Sequence, residues 1–205
     1  MEQVNSSKKR LVLYAAVAFA LTSVAAIVVN SLLGHGWHIE YSISRYVGLE
    51  TWSALVFFLG NLVVAGCVLY YLEYIAEIWG LPRWFNWLVV IMLITLLVLS
   101  ACPIGYFDLP GAAYGTSAPS NLHGICSRMM FCSMILAGAV FALTTKATKH
   151  TRIMAGIFVA YGLLCVYGYF TKASWLASGL VFFEWSFLMA FLGLCGILKS
   201  KKSEG

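Results

Sequence analysis

The chain has 205 residues, 61% of them hydrophobic and only 10% charged, with a mean hydropathy of +0.87. A soluble domain carries roughly 25% charged residues, so this is the composition of an integral membrane protein. Six spans of about 20 residues each use most of the length and exclude a separate soluble domain. The net charge of +5 does not point to nucleic acid, because the Lys and Arg residues gather at span ends, where they orient a protein against its bilayer.

The pattern predicts an all-α polytopic bundle, a single domain over residues 1–205, with helices at about 10–33, 51–75, 85–102, 121–145, 152–170 and 178–198. Lys8, Lys9 and Arg10 ahead of an apolar run resemble the start of a signal peptide. The run from Leu11 to Leu33 is too long for a signal core of about 7–15 residues, so an uncleaved first span is predicted. Backbone groups in lipid must be satisfied internally, which makes helices the reading for every run.

Orientation follows from the basic residues. One side of the predicted bundle holds Lys8, Lys9, Arg10, Arg83, Lys146, Lys149, Arg152, Lys199, Lys201 and Lys202, and the other only Arg45 and Lys172. That bias predicts cytoplasmic termini and a plasma-membrane location, the bacterial cytoplasmic membrane if the source is prokaryotic. Trp37, Trp52 and Trp175 then fall at the outer interface and Trp79, Trp84 and Trp87 at the inner one. Trp185 lies deeper; it is either a packed or lipid-facing aromatic or a wall of a polar site.

Two connections are long, and both are predicted outside. Gly34–Glu50 alternates apolar and polar residues from Trp37 to Ile43, which predicts a short strand or an interfacial segment. Pro103–Ser120 contains Pro110-Gly111, which suits a folded-back turn. Loops longer than about 12–15 residues tend to be functional or disordered.

Beneath these loops two ionisable residues sit inside apolar spans. Arg128 lies about 10 Å below the predicted start of its helix and Glu184 about 9 Å, at 1.5 Å per residue. A charge in hydrocarbon costs about 2.5–3.5 kcal/mol on insertion scales and normally has a partner, so the matched depths predict an Arg128–Glu184 pair. The pair is either a lock on helix register or a binding site, with Arg128 holding an anionic group. His123 at the mouth either hydrogen-bonds a loop carbonyl or serves as a general base. Asn121 and Arg128 share one helix face, His123 and Ser127 a neighbouring one. Glu40, Ser42, Ser44, Arg45, Glu50 and Asp108 surround the site from the loops.

A hydrolase reading assigns His123 and Asp108 to acid–base work and Ser44 or Ser120 as nucleophile, although no nucleophile-elbow motif is present. Asn61, near mid-membrane, is expected to cross-link helices, and Glu73 and Glu77 to face water or Arg83. Four of the six cysteines fall within spans. Cys102 and Cys126, near outer span ends, could meet in a disulfide, but no spacing fixes their distance. No Cys-x-x-Cys or His/Cys metal pattern occurs, so neither metal nor cofactor is expected.

The segment Ser42-Ile43-Ser44-Arg45-Tyr46-Val47-Gly48, followed by a helix with Phe57-Phe58-Leu59-Gly60-Asn61, resembles the first external loop of an uncharacterised prokaryotic six-helix family, distantly similar to the Frag/DRAM/Sfk membrane proteins. In that pattern Pro103, Asp108 and His123 fill the places of a Pro-and-Asp loop and a His opening the fourth helix, with a longer Pro-to-Asp spacing here. The resemblance implies a lipid-facing role.

Three functions follow. The first is an outer-leaflet polar pocket that binds or remodels a lipid headgroup or small amphiphile, with Arg128, Glu184, His123, Arg45 and Ser44 as ligand-binding residues. The second is an accessory or assembly subunit with a membrane-protein partner. The third is a small transporter, disfavoured because few polar residues beyond Asn61 and Thr95 continue through the bundle. No inverted repeat supports it either.

Overall fold

A computed structural model describes residues 6–38, 41–103, 117–171 and 173–198. Six helices are long and apolar enough to cross a membrane, the architecture of a multi-pass membrane protein. They are α1 (Ser6–Asn30), α3 (Thr51–Trp79), α4 (Arg83–Ala101), α5 (Ala118–Leu143), α6 (Lys149–Phe170) and α8 (Leu180–Ile197), with short helices α2 (Ile43–Val47) and α7 (Ser174–Ala177) between them. No strand occurs among the described residues.

Local chemistry sets the boundaries. Ser117 and Thr148 cap α5 and α6 by accepting from the backbone N–H of Ser120 and Thr151, the N-cap role such hydroxyls favour. Gly80 ends α3 at φ +60, a left-handed C-terminal residue that glycine adopts without steric cost. The last turn of α1 widens over Ser31–His35, where Gly34 has φ +97, and the chain leaves the bundle wall there. Helices α1, α4, α5 and α6 start two to four residues before the predicted positions and α3 ends four residues later, whereas α4, α5 and α8 stop one or two residues short.

The long helices close into a ring. In sequence order α1 packs on α3, α3 on α4, α4 on α5, α5 on α6 and α6 on α8, and α8 returns to α1. Close approaches use glycine, as expected where lipid offers no hydrophobic drive for helix association. A Cβ on Gly60 would lie 2.5 Å from Thr22, one on Gly138 2.7 Å from Phe158, and one on Gly162 2.6 Å from Ile135. Gly156, which looks like a packing residue in sequence, meets nothing within 4 Å.

Polar ties fix one end of the ring. Asn30, fully buried on α1, donates to the Tyr46 carbonyl (2.6 Å) and to Ser53 Oγ (3.2 Å). Ser53 Oγ bonds in turn to the carbonyls of Val47 and Glu50. Tyr46, also fully buried, closes a loop with the backbone of His38. The described residues of this connection form no strand, and the chain just past the alternating stretch, from Ile43 to Val47, folds into α2. Ser42 caps it, and burial of Ile43, Tyr46 and Val47 follows helical rather than twofold spacing.

The basic residues Lys8, Lys9, Arg10, Arg83, Lys146, Lys149 and Arg152 lie at the opposite end, where the α3–α4 and α5–α6 connections run. Lys8 there sits 3.6 Å above the Tyr70 ring. Trp84 and Trp87 are exposed at this end, but Trp79 is buried edge-on against Phe141 and is a core residue rather than an interfacial one.

Candidate functional site

Two cavities lie on the axis of the ring. The upper one, about 50 Å³, lies beneath α2 and is lined by Ser44, Ser100, His123, Ser127 and Glu184 together with apolar side chains. Five of the six long helices contribute to its wall; α6 does not. The lower one, about 20 Å³, is apolar except for Asn61. Phe19, Leu96 and Leu188 line both and form the partition between them.

Each polar wall residue is placed by its own element. Glu184 lies in the second turn of α8, and its Oε2 accepts from the backbone N–H of Ile43 at 2.8 Å. Ile43 opens α2, so this carboxylate satisfies the first free N–H of that helix, where negative charge is favoured. His123 is buried on α5, its Nδ1 2.8 Å from the Cys102 carbonyl. A carbonyl only accepts, so Nδ1 carries a proton and Nε2 of the neutral ring is an acceptor. Ser100 Oγ donates to the Leu96 carbonyl at 2.8 Å, and Ser44 Oγ lies 2.9 Å from Ser42 Oγ.

Of the residues expected in a ligand site, Ser44, His123 and Glu184 share this chamber. Arg128 and Arg45 do not line it. The expected Arg128–Glu184 pair is not formed: the only ion pair among the described residues joins His35 and Glu50 at 3.0 Å. Arg128 is exposed on the flank of α5, its guanidinium 6.0 Å from the centre of the Tyr169 ring on α6. The physical reason is azimuth. Buried His123, Met130 and Met134 recur at helical spacing and define the inner face of α5, and Arg128, five residues past His123, falls about 140° away from it. Arg45 stacks 3.6 Å over the ring of Tyr41.

Other expectations resolve individually. Asp108 and Glu40 lie outside the described residues. Ser120 hydrogen-bonds the Ser117 side chain within the α5 cap. Cys102 and Cys126 are free thiols, as are the other four cysteines. Trp185 donates through Nε1 to Ser23 on α1 at 3.2 Å, a tie between α8 and α1 rather than a wall of the site. Asn61 does not cross-link helices. Its Nδ2 donates to the Phe57 carbonyl of its own helix, and its buried Oδ1 has no partner among the described residues.

Sequence reasoning passed over Ser100, Asn30 and Ser53. Asn30 had a signal, an amide at the end of an otherwise apolar run; Ser100 had none, since single serines are common in spans. The assembled chamber is a small, acceptor-rich site. A water needs about 10–15 Å³, so it has room for a few waters or a group of comparable size. No cluster of His, Cys, Asp and Glu capable of holding a metal occurs among the described residues. The chain matches no protein-family model, and no curated protein or solved structure shows significant similarity to it.

Proposed function

We propose that the protein binds the headgroup of a membrane amphiphile in the chamber beneath α2, entered from the outer leaflet of the plasma membrane. One observation carries the reading: Ser44, His123 and Glu184, up to 140 positions apart in the sequence, line one polar chamber inside an otherwise apolar ring. Ionisable groups within spans usually mark a pathway or a ligand. The outer location rests on the gathering of Lys and Arg at the opposite end, which the positive-inside rule assigns to the cytoplasm. The Ser42–Gly48 resemblance to the family similar to Frag/DRAM/Sfk proteins points toward lipid as well. Ser44 pairs with Ser42 and His123 with Cys102, so binding, and not bond cleavage, is the activity this arrangement supports.

The test is mass spectrometry of lipids retained by protein purified in mild detergent. Wild type should hold one lipid class in excess of its membrane abundance. Glu184→Gln and His123→Gln should each lower that occupancy about tenfold, equivalent to about 1.4 kcal/mol, with the melting temperature monitored to confirm folding. Equal occupancy in folded variants sinks the reading.

A further inference from the structure

We infer that the chamber selects a primary ammonium headgroup on a membrane amphiphile, and not the phosphate or carboxylate that Arg128 leads one to expect. The inference rests on the headgroup reading above and adds the sign of the charge. Among the described residues no Lys or Arg lines the chamber. Arg128 lies on the outer flank near Tyr169, and Arg45 is stacked on Tyr41. The ionisable wall residues are Glu184 and His123. His123 Nδ1 already faces the Cys102 carbonyl, which leaves its Nε2 as an acceptor when the ring is neutral. Glu184 Oε2 takes the Ile43 N–H, and Oε1 remains for a ligand.

An anion placed here would meet a carboxylate with no Lys or Arg among the described lining residues to offset it, and burying an unpaired charge is strongly unfavourable. An ammonium reverses the balance. Its three N–H donors match Glu184 Oε1, the His123 Nε2 lone pair and a serine hydroxyl, and its charge pairs with the carboxylate. At about 50 Å³ the chamber has room for a small group, on the scale of a few waters at about 10–15 Å³ each.

Purified protein in nanodiscs of neutral lipid should be titrated with dodecylamine, dodecyl phosphate and ethanolamine, with binding followed by native mass spectrometry. Dodecylamine should bind saturably and at least tenfold more tightly than dodecyl phosphate. Glu184→Gln keeps an amide oxygen to accept from Ile43 and should lose dodecylamine binding at least tenfold while its melting temperature stays close to wild type. His123→Gln serves as the second variant if Glu184→Gln fails to fold. Dodecyl phosphate binding as tightly as the amine, and lost on Ser44→Ala or His123→Gln, would keep the headgroup pocket and overturn the ammonium assignment. Ethanolamine binding as tightly as dodecylamine would overturn the amphiphile part, since a soluble amine would then suffice. Amine binding unaltered in folded Glu184→Gln would place the amine elsewhere and overturn the inference.

Discussion

Asn61 shows what a single side chain costs when its surroundings do not answer it. Its amide oxygen is fully buried at the lower cavity and has no partner among the described residues, and a buried acceptor left unpaired costs about 1–3 kcal/mol. Asn61→Leu replaces it with an apolar group of similar size at the loss of one bond within its own helix. The variant should raise the thermal midpoint in detergent, by an amount matching about 1 kcal/mol, and a lower midpoint would show that the amide is satisfied in the working protein. Thr95 illustrates the contrary case. Its hydroxyl returns to the carbonyls of Ile91 and Met92 in its own helix, so the polarity that looks like a path through the bundle in sequence is absorbed locally.

At the scale of elements, α2 is held over the chamber from three directions: Asn30 on α1, Ser53 on α3 and Glu184 on α8. The Glu184 contact can be removed from the other side. Ile43 is the first residue of a capped helix, where proline is favoured because that N–H lacks a helical partner. Ser42 already has the extended backbone (φ −72, ψ 159) that a following proline requires. Ile43→Pro should therefore delete the donor to Glu184 while leaving α2 folded. A hydrogen bond to a charged group contributes about 1.5–3 kcal/mol, so amide exchange over residues 44–49 should accelerate by about 10- to 100-fold, with α3 unaffected and Ile43→Val close to wild type. Unchanged exchange in the proline variant would mean that Asn30 and Ser53 alone hold the segment.

The same elements show what the sequence could and could not reveal. Hydropathy runs located all six spans, because each must satisfy its backbone internally and present apolar side chains to lipid. Convergence was legible in part: Glu184 and His123 line one chamber. Azimuth was only partly legible. The separation of His123 and Ser127 from Asn121 and Arg128 on α5 was visible as helical spacing, yet the choice of inward face depends on neighbours brought in by tertiary packing. Matching Arg128 to Glu184 by depth therefore paired an inward carboxylate with an outward guanidinium. The fold of the 34–50 connection was hidden for a similar reason, since Tyr46 is buried by contacts with residues eight and sixteen positions away.

Considered as a whole molecule, the ring is polar at one end of its axis and apolar below. The wall from Phe19, Leu96 and Leu188 down past Val68 and Leu192 carries no ionisable side chain. Tyr71, further toward the basic end, is fully buried and bonded to the Cys195 carbonyl at 2.8 Å. α6 stands apart from this axis. It lines neither cavity and exposes Ile157, Leu163, Leu164 and Phe170 on its outer side, the surface expected of a helix that faces lipid and braces α5 and α8.

The apolar lower section has an electrical consequence. A transmembrane voltage falls mainly across the part of a protein that excludes water and mobile charge, and moving one elementary charge through the full drop is worth about 2.3 kcal/mol per 100 mV. Below the partition the bundle is such an insulator, so a charged group seated above it has crossed little of the field. Occupancy of the chamber in liposomes should then change less than about twofold when a potassium gradient imposes 100 mV of either sign, whereas a site at mid-membrane would respond several-fold. A charge held in the chamber would thus be nearly indifferent to the energised state of the membrane around it.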